Sequence, residues 1–254
     1  MPERRLLRTT VTDVTWLTPA MVRIVVGGPD LADFSAGRFS DEYVKCRFGD
    51  RTRSYTVRDW DADARLLTLD FVVHGDRGVA GPWAAAARPG DTLELTGPGG
   101  SYAPSADADW HLMSGDDAVI PAIAASLRRV RPGVPVFVVL EVDGTEHEHP
   151  LESPGDLQVT WIHRRAGAGE DASLQAAAVR RLFLPAGRGQ AFVHGEATAV
   201  RLVRRHLLER GLPIDALSAT GYWKLRRTDE QWRAEKPEWK RDADADAAQL
   251  RAAG

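Results

Sequence analysis

The feature that most constrains this chain is a change of pattern near residue 105. Before it, short runs alternate apolar and polar residues and stop at Gly, Pro or Asp. Six such runs stand out, at 6–17, 21–26, 43–48, 52–57, 65–73 and 91–95. That spacing predicts a closed antiparallel six-stranded barrel rather than a parallel sheet. One short helix is expected inside it, over 82–87, with Gly81 as its cap and Pro82 at the first helical position. Residues 102–110, small and polar, read as a linker. Beyond them strands and helices take turns: strands over 110–114, 134–142, 157–163, 190–194 and 216–223, helices over 119–130, 171–182 and 197–210. Alternation of that kind predicts an α/β domain with a parallel sheet. The expected division is a barrel domain over 1–103, an α/β domain over 110–227 and a helical tail over 228–254.

Charge and composition narrow the function. The 254 residues carry 33 Lys plus Arg against 36 Asp plus Glu, a net charge of −3, with no dense basic run. That argues against nucleic acid as a partner. No apolar run approaches the length of a membrane span, and residues 1–10 lack the apolar stretch of a secretory signal. Cys46 is the only cysteine, so no internal disulfide can form. Alternation puts it on one face with Val44 and Phe48, the position of a small buried hydrophobe. The expectation is a cytoplasmic monomer.

The most informative run is Arg53-Ser-Tyr-Thr-Val-Arg58. A guanidinium holds phosphate oxygens through two parallel charge-assisted bonds. Two residues on, the Tyr55 ring can lie against a flat cofactor. The Thr56 hydroxyl or backbone N–H can meet a ring nitrogen. Together these suit a flavin with a charged tail, although Tyr, Thr and Val also favour strands by propensity alone. Strict alternation sends Tyr55 and Thr56 to opposite faces, which leaves Thr56 its backbone N–H. Later, an apolar strand runs into His74-Gly-Asp-Arg-Gly78-Val79-Ala80-Gly81-Pro82-Trp83. A helix that starts after glycines offers unpaired N–H groups and a positive dipole end to an anion.

These motifs, with Asp70-Phe-Val-Val-His-Gly75, Pro89-Gly-Asp91, Gly97-Pro-Gly-Gly-Ser101, Gly195-Glu196 and Gly221-Tyr-Trp223, occur in the order seen in siderophore-interacting proteins. The chain resembles that family of flavin-dependent ferric-siderophore reductases, relatives of the ferredoxin-NADP reductase superfamily, over about residues 5–225. The resemblance implies a barrel that binds FAD ahead of an α/β domain of the NAD(P)H-binding type. It implies Arg53 at the pyrophosphate, Tyr55 on the isoalloxazine, Thr56 and Val57 at its reactive edge, His74 beside the flavin, and Gly78, Val79, Ala80 and Gly81 around the phosphates. Gly81 departs from the serine that the family often carries. Asp70 admits two roles, flavin contact or turn; Trp83 and Trp223 likewise suit either a nucleotide contact or the core.

The implied substrate is a ferric siderophore, often anionic. Lys45, opposite in direction to Cys46, and Lys224 and Arg226, after Gly221-Tyr-Trp223, are the candidate cationic contacts. The family often has arginine at 224 and Arg-Gly at the two positions that follow, where this chain has Leu225-Arg226. The electron donor is open. A nucleotide site needs a phosphate-accepting turn, yet the corresponding Gly115-Asp116-Asp117 presents two carboxylates. They suit helix capping and repel a pyrophosphate. Arg164 and Arg165 are candidates for a 2′-phosphate. NAD(P)H and a ferredoxin-type protein both remain. No metal site is expected: His147-Glu-His149 lacks a third ligand, and Asp242-Ala-Asp-Ala-Asp246 lacks the glycine and closing glutamate of a calcium loop. The chemistry would belong to the flavin, with no catalytic side chain. The alternatives are an NAD(P)H-dependent flavin or general ferric reductase, and a siderophore-binding module without reductase activity.

Overall fold

The computed structural model describes residues 5–73, 78–164 and 172–253, the side chains of 251–253 excepted. Contacts divide the chain into two compact units. The first comprises Met1–Ala103, Pro121–Arg129 and Glu146–Glu152; the second comprises Pro104–Ile120, Val130–Thr145 and Ser153–Gly254.

The first unit is a closed barrel of β1 (Leu7–Thr18), β2 (Met21–Gly27), β3 (Tyr43–Phe48), β4 (Arg51–Asp61), β5 (Leu66–Val72) and β6 (Thr92–Gly99), in the order β1-β2-β5-β4-β3-β6. All six ladders are antiparallel, and β1 closes the ring by pairing Leu7 with Leu95 on β6. Alternation builds the core. Val22, Ile24 and Val26 on β2, Leu67, Leu69 and Phe71 on β5, and Val44 and Cys46 on β3 are all fully buried. Cys46 is thus the packed hydrophobe that its flanking pattern suggested, and burial pushes its thiol far above the ordinary range.

Several boundaries differ from expectation. Strand β4 runs four residues past Val57, because an irregularity between Val57 and Asp59 lets it resume pairing with β5. Helix α1 spans Ala80–Ala86, with Val79 at its N-cap. It therefore starts two residues before Pro82 and takes Gly81 into its first turn. First-turn N–H groups have no intrahelical acceptor, so proline is tolerated throughout that turn and does not fix the first position. Helix α2 (Ile120–Leu127) is also shorter than its apolar pattern. In the first unit, Ser126 Oγ donates to Ser40 Oγ at 2.8 Å, and Arg128 Nη2 donates to the Arg58 carbonyl at 2.7 Å.

The second unit is a five-stranded parallel sheet of β7 (Trp110–Asp116), β8 (Pro135–Val142), β9 (Asp156–His163), β10 (Gly189–Glu196) and β11 (Leu217–Trp223), ordered β11-β10-β7-β8-β9. The three central strands are almost wholly buried, as expected where both faces of a parallel sheet are covered. Helices α3 (Ser173–Arg181) and α4 (Ala197–Glu209) pack their Ala176, Val179, Val200 and Val203 against Leu112, Phe137 and Val193 of the strands. The polar tail forms one helix, α5 (Asp229–Ala253), laid on the unit by Trp232 and Trp239. Among the described residues, no helix is long and apolar enough to cross a membrane.

Gly189 exposes how tightly the sheet packs. A Cβ there would lie 2.0 Å from the Trp110 ring, its partner on β7. Gly189→Ala is expected to lower unfolding stability in urea by about 1–3 kcal/mol. A loss below about 0.5 kcal/mol would show that Trp110 can move aside.

Candidate functional site

The β3–β4 hairpin positions the motif that the sequence singles out. In its antiparallel register Val44 lies opposite Tyr55, Cys46 opposite Arg53, and Lys45 opposite Ser54. Directly opposed residues share a face. Val44 and Cys46 are fully buried, so Arg53 and Tyr55 lie on the inner side of the hairpin, and both are half-buried. Lys45 points outward and is exposed, as its alternation with Cys46 requires. The hairpin carries Arg51 and Arg53 on this inner side and Lys45 and Arg47 on the other. Arg53 Nη1 donates to the Thr52 carbonyl at 3.0 Å.

Tyr55 rests on Phe71, their centroids 4.0 Å apart and their planes tilted by 34°. Phe71 meets Trp83 of α1 at 5.7 Å, and Trp83 meets Phe48 of β3 at 5.4 Å. A buried phenylalanine thus backs the ring that the sequence offers as a flavin platform. Thr56 and Val57 are each 8 % exposed. The Thr56 side chain lies on the face opposite Tyr55, as alternation demands.

The Asp70 carboxylate is nearly sealed and held by Arg23, whose Nε and Nη2 donate to it at 2.7 and 2.8 Å. Arg58 approaches the same carboxylate at 3.8 Å. Asp70 sits mid-strand on β5, not in a turn, and its oxygens are committed to arginines. Ala80 and Gly81 lie in the first turn of α1, where Val79 supplies no side-chain cap, and Gly78 precedes it in left-handed backbone, φ +83°. His74 lies outside the described residues.

The structure adds a feature that sequence reasoning missed. An open cleft of about 470 Å³ lies where the tip of the β3–β4 hairpin meets β6 and α1. Arg47, Phe48, Val79, Trp83, Thr92 and Glu94 line it. Of these, only Val79 and Trp83 stood out in the sequence; the others read as ordinary strand alternation, and no linear signal unites them.

In the second unit, Asp116 is the hub. Its Oδ2 accepts from the Glu196 backbone N–H at 2.8 Å and from Trp223 Nε1 at 2.9 Å, and its Oδ1 accepts from the Ala118 N–H at 3.0 Å. One buried carboxylate therefore ties together the carboxyl ends of β7, β10 and β11. Gly195, at φ +120°, leaves room for it: a Cβ there would come 2.4 Å from Asp116 Oδ2. Burial, reinforced by the charge of Asp117, raises Asp116 to about 6. Asp117 is paired with Arg164 at 2.9 Å.

That pairing corrects one expectation. Arg164 also holds Glu141 at 3.0 Å and Asp143 at 2.8 Å, so three carboxylates claim the side chain offered for a 2′-phosphate. Arg165 lies outside the described residues. Gly115, near the end of β7, has no room for a side chain: a Cβ there would strike Val119 at 2.6 Å.

Lys224 Nζ is 3.0 Å from Glu235 on α5, and Arg227 grips the other oxygen of that carboxylate. Arg226 is exposed and adopts φ +59°, a conformation that favours glycine. This is the position at which the resembled family commonly has glycine. Glu196, noted only as part of a dipeptide, caps α4 by accepting from Thr198 N and Ala199 N, and it also takes the Leu225 N–H at 3.2 Å. Among the described residues, no group of three or more His, Cys, Asp or Glu side chains is arranged to hold a metal ion.

Comparison with known proteins gives a consistent result. The family model described as "Siderophore-interacting FAD-binding domain" matches residues 49–102, and that of "Siderophore-interacting protein" matches residues 108–226. An uncharacterized protein of Mycobacterium tuberculosis is 38 % identical, the match covering 91 % of this chain and 93 % of that one. The ferric vibriobactin reductase of Vibrio cholerae is 36 % identical over 72 % of this chain and 68 % of its own. The crystal structure of a siderophore utilization protein from T. fusca superposes with a TM-score of 0.78 at 32 % identity, covering 89 % of this chain and 97 % of that one. The fold extends further: the ferredoxin reductase of carbazole 1,9a-dioxygenase matches with a TM-score of 0.69 at 18 % identity, over 86 % of this chain and 70 % of its own.

The Asp116 hub predicts a pH dependence. A carboxyl group raised from 3.8 to about 6 keeps a proton in the folded state that the unfolded chain has released. Its contribution to stability is fully present below the unfolded value and is lost as pH rises through about 6. The stability difference between wild type and Asp116→Asn should therefore change by on the order of 2 kcal/mol between about pH 4 and 7. Urea unfolding at several pH values measures it. A flat difference would mean that Asp116 titrates as an ordinary carboxylate.

Proposed function

The chain belongs to the siderophore-interacting protein family, and from that premise we propose that it is an FAD-dependent ferric-siderophore reductase, converting chelated Fe(III) to Fe(II) so that iron can leave the chelate. The observation that carries this reading is the shared inner face of Arg53 and Tyr55, with Phe71 behind the tyrosine ring. A flat ring platform 4.0 Å above a buried aromatic, two residues from a guanidinium, fits a flavin with a pyrophosphate tail.

In this reading residues 1–103 bind FAD. Arg53 grips the pyrophosphate, and the first-turn N–H groups of Ala80 and Gly81, after Gly78 and Val79, meet the same phosphates. Tyr55 presents its ring to the isoalloxazine, and Thr56 stands beside its edge, while the Val57 N–H is already given to the Glu42 carbonyl at 2.7 Å. Bound FAD supplies the redox chemistry, the delivery of single electrons to Fe(III). The protein therefore needs no acid or base; its task is to hold the flavin and exclude water from it. Asp70 supports the barrel through Arg23 and takes no part in binding.

For the anionic substrate, Lys45 and Arg226 are the exposed candidate cations, while Lys224 is shared with Glu235. The donor is NAD(P)H or a ferredoxin-type protein. The two carboxylates of the Gly115–Asp117 segment and the committed Arg164 favour a donor that does not require a phosphate cradle there. Action as a monomer in the cytoplasm, where ferric chelates arrive after uptake, completes the proposal.

Arg53→Ala and Tyr55→Ala are each expected to weaken flavin retention about tenfold to a hundredfold, the value of a charge-assisted bond or a buried ring contact. Absorbance of the purified proteins reads this directly. In the wild type, anaerobic titration with NADH or NADPH should bleach the yellow colour, or a reduced ferredoxin should do so, and a ferric siderophore should restore it. Flavin retained in both variants would remove the proposed site. Reduced wild-type protein that no ferric siderophore reoxidises would remove the reductase and leave a flavoprotein that only binds the chelate.

A further inference from the structure

We infer that the exposed ring of Phe183, with Arg180, Arg181 and Arg210 around it, is a peripheral docking point for an anionic lipid surface. It lies wholly in the second unit and does not draw on the flavin reading.

The local fold makes the protrusion. Helix α3 closes at Leu182, which turns to extended backbone (φ −70°, ψ 134°) and returns its N–H to the Val179 carbonyl at 3.2 Å. Leu182 and Leu184 both pack against the core that Val179, Val200 and Val203 help to form. With the two leucines anchored inward, Phe183 between them faces outward. Its exposure is 87 %, against 49 % for Trp16 and 41 % for Leu6, the other exposed large hydrophobics among the described residues. Isolated exposed apolar side chains are common; the charges around this one set it apart. Arg180 and Arg181 stand exposed in the last turn of α3. Arg210, exposed at the C-cap of α4, donates from Nη1 to the Leu182 carbonyl at 3.2 Å, one residue from the ring. Burial, then the charges of Arg180 and Arg210, hold His206 below its ordinary range, so the ends of α3 and α4 share one electropositive spot. Among the described residues none of the three arginines pairs with a carboxylate. The adjacent Glu209 is taken by Arg205 at 2.9 Å. Arg164, Arg201 and Arg204 of the same unit each hold a carboxylate. The unpaired cations at Phe183 are therefore a local surplus in a chain of net charge −3.

A convex apolar knob ringed by guanidinium groups fits a bilayer interface. The ring sinks among the headgroups, and the arginines take the lipid phosphates through charge-assisted bonds. A specific protein contact needs about 800 Å² of complementary surface on each partner, and one aromatic ring supplies at most about 250 Å². The contact is peripheral, since no helix among the described residues is long and apolar enough to cross a membrane. Helix α3 connects the parallel strands β9 and β10, so its last turn lies at the amino ends of the strands. Asp116 and Trp223 are at the opposite, carboxyl ends. A lipid surface held at Phe183 therefore leaves that end of the sheet uncovered.

Co-sedimentation of the full-length protein with vesicles tests this. One set is phosphatidylcholine alone; the other contains about one-third phosphatidylglycerol. The wild type should partition at least about tenfold more strongly to the anionic vesicles, and the excess should fall with added salt. Phe183→Ser should weaken that binding about tenfold. Arg180→Gln combined with Arg181→Gln should weaken it about twentyfold, roughly fivefold for each arginine. Arg233→Gln combined with Arg241→Gln removes the same charge from exposed positions of α5 and should change it less than about threefold. All of these replace exposed side chains, and thermal melts confirm that each variant folds. Wild-type protein that ignores anionic vesicles overturns the docking point. So does an equal loss in the two arginine pairs, or a Phe183→Ser protein that binds like the wild type. Wild-type protein that ignores vesicles but dimerises, and is monomeric once Phe183→Ser is made, gives the surface to a second copy and overturns the proposal equally.

Discussion

Closure of the barrel is the constraint on which the cofactor half of this protein depends. β1 pairs with β2 on one side and β6 on the other, so no strand edge is left to slip. A slip by one residue would turn every side chain of a strand to the opposite face. With the ring closed, the inner face of β4 is fixed, and so are the directions of Arg53 and Tyr55. Phe71 and Trp83 then fill the space behind the tyrosine ring. The rigidity that a flat cofactor demands comes from the apolar interior, and the polar groups of the site are carried upon it.

The second unit obtains its order differently. Its central strands are hydrophobic on both faces, yet the carboxyl ends of β7, β10 and β11 converge on one buried carboxylate, Asp116. The chain is a flavin oxidoreductase with FAD as its cofactor, and its fold is that of ferredoxin reductases. In doubly wound sheets ligands enter beyond the carboxyl ends of the strands. Here the strand ends carry contacts of the chain's own, Asp116 with Trp223 and Asp117 with Arg164. Two carboxylates that read as obstacles to a nucleotide prove to be structural ties.

Much of the fold was legible because period-2 alternation over 5–101 and alternating apolar and helical runs after 110 are strong local signals. The first strand, for example, was expected over 6–17 and is Leu7–Thr18. Boundaries failed where local chemistry was ambiguous. Pro82 is acceptable anywhere in the first turn of α1, so it could not locate the start. At the site, the Arg53–Tyr55 spacing was legible because both residues lie on one strand. The bond between Asp116 and Trp223 joins residues 107 apart, and the cleft gathers side chains from β3, α1 and β6. Contacts of such separation leave no periodic trace.

The long helix α5 contains Pro237, eight residues from its start. Proline has no N–H to offer the carbonyl one turn back, so the hydrogen-bond ladder is interrupted there. The two halves also have separate anchors. Glu235, before the proline, engages Lys224 and Arg227; Asp244 and Asp246, after it, engage Arg204 and Arg201. The proline thus separates two independently anchored segments. The amide protons of α5 should exchange with solvent as two groups with separate opening energies, so the tail can fray from its far end while its near end still covers the residues that follow β11.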